Sequence, residues 1–442
     1  MRITKGAAVF MACLFFRLIP LPLNAVSAAA DAPGSRTPWI PLKVVLHAHS
    51  EASGEPISLE EMAHLARKRG VDAVILTDYL EQRVSLGLYP FHRFLKISKT
   101  QPSLATYGIA AYAAALEAAR RKVDSVLLLP GAEVIPFYWW SGDLLKGNLT
   151  VYGLHKNLLV FGLAVGDLPK IPTLENGRLG MDAYHGSRGE KPYQAVIDHV
   201  QTSGGLAVWS APDSVAGAEF QYGPIHASTL PYWHSLLATQ DYTGIAIYPE
   251  GEEFTGAAGG VWDRVLSAYC RGKRRYPAWG FAEGMIHREN FAEGLARFDQ
   301  VVLADQRSET AVLDAMKRGR FYIRTLGGSE LELEEFRVED SFAARSAAAG
   351  EEMELVGSPK IRVKVRVSAL MQPAGIRVDI VRGGRVVYSK TSDKAALEFI
   401  WQDPDKLDPG RHYYRLIGIV GSKRANRFMS NPIFVHKTKE RA

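Results

Sequence analysis

Between residues 43 and 325 the chain alternates short apolar runs with amphipathic stretches, and after about residue 330 that alternation stops. This change of rhythm constrains the fold more than any other feature. "KVVLHAH" (43–49), "VDAVILTD" (71–78), "SVLLLPGAEVI" (125–135), "KNLLVFGLA" (156–164), "GLAVWSAP" (205–212), "YTGIAIYP" (242–249) and "YPAWGFAEG" (276–284) read as buried strands. "SLEEMAHLARKRG" (58–70) reads as a helix: Ser58 can cap it, Glu61 follows three residues on, and Gly70 ends it. "YGIAAYAAALEAARRK", "PYQAVIDHVQTSG" and "SETAVLDAMKRGRFY" read as further helices, the last stopping near Gly319. Repeated strand–helix order predicts an α/β fold, a parallel sheet closed or nearly closed into a barrel of about seven strands. From "LELEEFRVED" (331–340) onward, period-two alternation and the "RGGR" turn at 382–385 predict a small all-β sandwich of roughly a hundred residues. The expected boundaries are 1–30 for a leader, 31–42 for a lead-in, 43–327 for the barrel and 328–442 for the sandwich.

Arg2 and Lys5, the apolar "GAAVFMACLFF" and the small residues of "NAVSAAADA" have the composition of an export signal. Arg17 and Pro20 cut the apolar run too short for a stable membrane span, so none is expected after cleavage. Cleavage leaves Cys270 as the single cysteine, which excludes an intrachain disulfide. The expected location is the periplasm or the medium. The formal charge of +6 falls by three, to +3, once Arg2, Lys5 and Arg17 are discounted. The densest basic stretch, "RGKRRYP" at 271–277, has the composition of a solvated helix end, and nucleic acid is not expected as a partner.

His47 and His49 stand at i and i+2 at the end of the first strand, where side chains face the same way. Barrel active sites are built at that end, and paired neutral imidazoles suit a divalent transition metal. Asp78 and Glu133 end the second and third strands, and His155 precedes the fourth. His47, His49, Glu133 and His155 are therefore candidate ligands, with Asp78 able to orient a ligand imidazole. Glu283 and His287, at i and i+4, are candidates for two more. Trp139 and Trp140 of "FYWWS" could form an aromatic wall for an organic ligand, and Lys156 could neutralise an anionic substrate.

With these motifs in order, the chain resembles the polymerase and histidinol phosphatase (PHP) superfamily, and within it the carbaryl-hydrolase-like branch. "LHAHS", "GVDAVILTD", "LLLPGAEV" and "HKNLLVFGL" carry the resemblance, and "SGGLAVWSAP", "GFAEGMIH" and "AMKRGRFY" occupy the places of later motifs. The resemblance implies a distorted (β/α)7 barrel with up to three metals at its carboxyl rim. There a bridged water would be activated for hydrolysis of phosphate esters, or of carboxyl esters and amides.

The departures from that pattern matter equally. Tyr79 stands where a histidine is usual, Ala211-Pro212 replaces His-Pro, Ala246 replaces an acidic residue, and Ala282-Glu283-Gly284 replaces Asp-x-His. The expectation is a reduced site holding one divalent metal, zinc or manganese, in an exported hydrolase acting on a small molecule. The alternatives are a silent binding protein of the same fold with no metal, and a surface adhesion module led by the β-sandwich. N-terminal sequencing of exported protein should find the mature chain starting between Ala28 and Asp31. Recovery of the intact leader in membranes would mean an anchor instead.

Overall fold

Each of the apolar runs forms at least one strand with a buried centre. The computed structural model describes residues 39–87, 91, 94–213, 219–284, 298–325, 331–368, 375–421 and 427–438. The leader, His287 and the expected boundary at 327–330 lie outside the described residues. The strands up to residue 325 are β1 (Ile40–Ala48), β2 (Ala73–Leu76), β3 (Arg83–Gly87), β4 (Lys96–Thr100), β5 (Leu127–Leu129), β6 (Gly131–Val134), β7 (Trp139–Ser141) and β8 (Thr150–Tyr152). They continue with β9 (Leu158–Phe161), β10 (Leu206–Trp209), β11 (Glu219–Tyr222), β12 (Ile225–Ser228), β13 (Gly244–Tyr248), β14 (Trp279–Ala282), β15 (Phe298–Ala304) and β16 (Phe321–Thr325). The helices are α1 (Leu59–Lys68), α2 (Leu104–Tyr107), α3 (Ile109–Lys122), α4 (Lys191–Thr202), α5 (Trp233–Ala238), α6 (Val261–Cys270) and α7 (Glu309–Lys317). Ser58 caps α1 by accepting from the Glu61 amide, as its position predicts.

The closed, all-parallel barrel is not what forms among the described residues. The strands of the expected ring fall into two sheets, β5–β2–β1–β15–β16 and β6–β9–β10–β13–β14. The break between β5 and β6 falls at Pro130, which has no N–H to give to a ladder. β9 runs antiparallel to both β6 and β10. A parallel neighbour needs a crossover, usually a helix, and here the chain between β6 and β9 forms the strands β7 and β8 instead. β7 and β8 join β11 and β12 in a small sheet of order β11–β12–β8–β7 over its own core of Tyr138, Trp140, Leu149, Val151, Ala183 and Ala227. These strands are too short to show a period in the sequence.

The C-terminal part is β17 (Leu331–Asp340), β18 (Ser346–Ala348), β19 (Glu352–Leu355), β20 (Pro359–Val367), β21 (Ile376–Arg382), β22 (Arg385–Ser392), β23 (Ala396–Gln402), β24 (Gly410–Val420), β25 (Arg427–Ser430) and β26 (Ile433–Lys437). Gly383 and Gly384 turn the β21–β22 hairpin with φ of 55° and 81°, the mirror-image turn that "RGGR" predicts. Sheet β18–β17–β20–β23 supplies Val338, Ile361 and Val363 to a core completed by Val378, Ile380, Leu416 and Val435. The second layer is not a separate sheet. β25 pairs with β16, from Tyr322↔Ser430 to Arg324↔Phe428, so one sheet runs from β5 into the C-terminal strands.

A buried ion pair locks that continuity. Arg415 of β24 donates from Nε (2.8 Å) and Nη2 (2.7 Å) to Asp263 of α6, and Tyr413 donates its hydroxyl to the same carboxylate at 2.8 Å. The guanidinium also lies 4.7 Å from the centre of the Trp262 ring. Both charges are shielded from water (0 % and 2 % exposed), so removing one strands the other. Arg415→Ala should cost about 3–5 kcal/mol in chemical denaturation. A loss below about 1 kcal/mol would show that the join does not depend on the pair.

Candidate metal centre

The register of β1 against β2 slips between Leu46 and Ala48, and His47 sits at that bulge with φ of 77°. A non-glycine residue rarely adopts this conformation, and where it persists the surroundings enforce it. His47 and His49 therefore converge across a bulge and not along a regular pleat. Their common target is Glu133 of β6. Its Oε2 lies 3.0 Å from His47 Nε2 and 3.2 Å from His49 Nε2. Its Oε1 accepts from Asn157 Nδ2. The backbone of Glu133 is fixed on both sides, its amide donating to Asp78 O (3.0 Å) and its carbonyl accepting from the Leu80 amide (2.9 Å). All three side chains are buried.

Behind His47 stands Glu283. Its Oε2 lies 3.1 Å from His47 Nδ1 and accepts from Ser210 Oγ at 2.6 Å, while Oε1 accepts the Ala211 amide at 2.7 Å. Burial alone would depress the His47 pKa, but hydrogen bonds and attraction from Glu133 and Glu283 reverse this and hold it up at about 10. Burial pushes the Glu133 carboxyl up, but its contacts with His47 and His49 outweigh that and bring it well below the usual carboxylate range.

Of the residues singled out in the sequence, His47, His49 and Glu133 meet, with donor atoms within 4.8 Å of one another. Glu283 joins them from behind, as the partner of the His47 nitrogen that faces away from Glu133. For His47 the orienting part therefore falls to Glu283 and not to Asp78. The Asp78 carboxylate accepts from the Ser50 amide (2.7 Å), Ser50 Oγ (2.9 Å) and Ser53 Oγ (2.7 Å). It meets His49 through Ser53, whose Oγ is 3.4 Å from His49 Nδ1.

The remaining candidates are placed differently. His155 lies outside the three-residue cluster, its ring 5.1 Å from that of Phe220 and its amide bonded to Thr229 Oγ1. Burial lowers its pKa, against a smaller opposing pull from Glu133, so its imidazole is neutral at pH 7. Lys156 is not turned toward a bare anion site: its Nζ is 3.1 Å from Glu190 and 4.0 Å from the centre of the Tyr193 ring. Trp140 is buried in the small sheet's core with Nε1 donating to Ser85 O at 2.9 Å, so it packs and does not line a wall. Trp139 stacks on Tyr152 at 4.1 Å. Tyr79, in the place of a usual histidine, lays its ring 4.5 Å from that of His49.

No spacing rule singles out Asn157, a lone polar residue next to a motif. Ser210 stands out in the sequence only as a neighbour of the absent histidine, and it bonds Glu283. The anchoring N–H of Ala211 belongs to the backbone and has no side-chain signature at all.

The donor set fits a divalent ion. A carboxylate oxygen about 3 Å from each of two imidazole Nε2 atoms is the spacing of ligands each about 2.1 Å from one centre. The carboxylate on His47 Nδ1 is the usual support of a ligand histidine. No protein-family model matches the chain, and no curated relative matches it. Among solved structures it is similar to a two-domain protein from Bacteroides vulgatus containing a predicted PHP-like metal-dependent phosphoesterase, at 12 % identity over 87 % of this chain and 93 % of that one, with a TM-score of 0.39. It is also similar to an amidohydrolase from Chromobacterium violaceum, solved with bound sulfate and no metal, at 14 % identity over 54 % of this chain and 86 % of that one, with a TM-score of 0.26. Likenesses this remote assign no activity by themselves.

Three outcomes follow from this arrangement. In metal-free protein the stabilisation held in the raised His47 pKa is complete below about pH 6.5 and is lost as pH climbs toward about 10. Melting of chelator-treated protein should decline across that window, and calorimetry near pH 7.5 should find proton release on zinc binding, because the ligand nitrogen must be neutral. Binding with no proton release would exclude His47 as a ligand. Glu283→Gln should weaken divalent-ion affinity by about 10–100-fold with the fold intact.

Proposed function

We propose that this chain is an exported, metal-dependent hydrolase of the PHP type, of the carbaryl-hydrolase-like branch, with a site reduced to one divalent ion, zinc or manganese. Its substrate would be a small phosphoester, or an ester or amide. The observation that carries this reading is the meeting of His47, His49 and Glu133 in one buried cluster, with Glu283 behind His47. A bound ion would supply Lewis-acid polarisation of the substrate oxygen and a water of lowered pKa. The chain's own residues do the rest. Glu283 orients the His47 ring, and Asp78 through Ser53 does the same for His49. Burial raises the Glu250 carboxyl above its ordinary value, with Glu283 adding to the effect and His47 opposing it. Tyr79 closes one side of His49 to water.

A second reading, a silent binding protein, draws on a specific observation: His47 is already held between two carboxylates with no ion required. Elemental analysis of protein purified without chelator separates the two, read together with rates on a panel of phosphate, ester and amide substrates. The hydrolase reading expects about one zinc or manganese per chain, lost in His49→Ala and Glu133→Gln along with turnover. A folded, metal-free protein that does not take up added zinc would establish the binding reading. Export predicts recovery in the periplasm or medium, and retention in the cytoplasm would remove that part of the proposal.

A further inference from the structure

Among the described residues, His47, Ala211 and Asp241 are the non-glycine residues with positive φ. Two of the three close on one carboxylate: His47 Nδ1 lies against Glu283 Oε2, and the Ala211 amide donates to Glu283 Oε1. Ala211 has φ of 42°, and Pro212 after it narrows its conformational choices further. Such a backbone persists only where its surroundings over-determine it. On one side of Ala211, the Ser210 amide donates to Asn157 O at 3.2 Å and the Ser210 carbonyl accepts from the Tyr232 hydroxyl. On the other side stands Asp213, which is buried. Its Oδ1 accepts from Trp233 Nε1 (2.7 Å) and Thr255 Oγ1 (2.5 Å), and its Oδ2 from the amides of Phe254 (2.9 Å) and Thr255 (3.0 Å). Its own amide donates to Glu250 O at 3.1 Å. One residue thus ties the 210–213 turn to α5 and to the loop between β13 and α6. That loop follows directly on Tyr248, whose carbonyl accepts the Glu283 amide at 3.0 Å. Glu283 is therefore gripped by two segments that Asp213 binds to each other.

We infer that Asp213 is a positioning residue for Glu283: it holds Ala211 in its strained conformation, so that the Ala211 amide meets the carboxylate that orients His47. Asp213 is not a ligand itself. Both its oxygens are taken by four donors, and it lies outside the cluster of His47, His49 and Glu133. A plain staple between two loops would place no demand on the backbone of Ala211. A relaxed turn would swing the Ala211 N–H away from Glu283 Oε1 and leave Ser210 Oγ as the neutral donor to that carboxylate. A buried carboxylate short of a donor is less fixed, and the imidazole it supports loses orientation with it. The consequence for ion affinity rests on the reading of this centre as a metal site; the consequence for Ala211 does not.

The test follows the Ala211 amide by hydrogen exchange in protein carrying isotopically labelled alanine, and zinc affinity by competition with a chelating dye. Asp213→Asn sets an amide nitrogen against one of the two pairs of donors. Exchange at Ala211 should then speed up by at least about tenfold, as the turn opens locally. Zinc affinity should fall by about tenfold, the lower end of the loss for a residue supporting a ligand. Asp213→Asn/Ala211→Gly should regain most of that affinity, because glycine adopts positive φ without strain. A merely structural part for Asp213 predicts no such rescue. If Asp213→Asn does not fold by near-ultraviolet circular dichroism, Thr255→Val, which removes one donor and keeps the carboxylate, should speed Ala211 exchange in the same direction. Unchanged exchange at Ala211 in a folded variant would overturn the proposal. So would loss of zinc affinity with Ala211 still protected, or no regain from the glycine. A wild type that takes up no zinc would remove the metal reading, and Ala211 exchange alone would then decide the part of Asp213.

Discussion

Glu133 does two jobs with one residue, and the fold and the site both depend on it. Its backbone forms the isolated bridge to Tyr79 across the seam where the ring of strands splits into two sheets. Its side chain holds His47 from the strand on the far side of that seam and His49 just beyond that strand's end. The sheets are thus held in register by the group around which the donors gather. A carboxylate between two imidazoles in a buried site is strongly favoured electrostatically, and it is satisfied only if the sheets stay where they are.

The electrostatics of the centre are arranged in layers. Glu133 faces the imidazole nitrogens that a cation would take, and Glu283 faces the opposite side of His47. Glu283 is itself held by donors that carry no formal charge, Ser210 Oγ and the Ala211 amide. This lets two buried carboxylates lie around one histidine without a second cationic side chain. A divalent ion entering between the Nε2 atoms would displace one proton and so add one net positive charge, which offsets the two carboxylates in full.

Much of this was legible in the residues, and the illegible part has physical causes. The strands that carry His47, Asp78, Glu133 and Glu283 are buried apolar runs whose ends are marked by polar residues, so their existence and order could be read directly. Sheet closure could not, because it depends on where ladders break, and Pro130 breaks one without altering the apolar pattern on either side. The antiparallel β9 was hidden for a related reason: strands of three residues such as β7 and β8 are shorter than any period that would reveal them. Within the site, the residues pointed to Asp78 as the orienter and to Glu283 as a further ligand, whereas Glu283 is the carboxylate set against His47. That exchange rests on the Ser50 and Ser53 hydroxyls, which claim Asp78 first.

The Ala211 contact has a consequence for how this protein can vary. The donor to Glu283 is a main-chain N–H, which every residue except proline provides. With φ of 42° the position favours glycine, asparagine or aspartate, and it tolerates alanine. Drift at 211 among the small neutral residues that accept this φ would leave the contact with Glu283 in place, so the side chain there can change while the chain path stays fixed. What is inherited there is a direction of the backbone, and a residue-by-residue comparison of side chains would miss it.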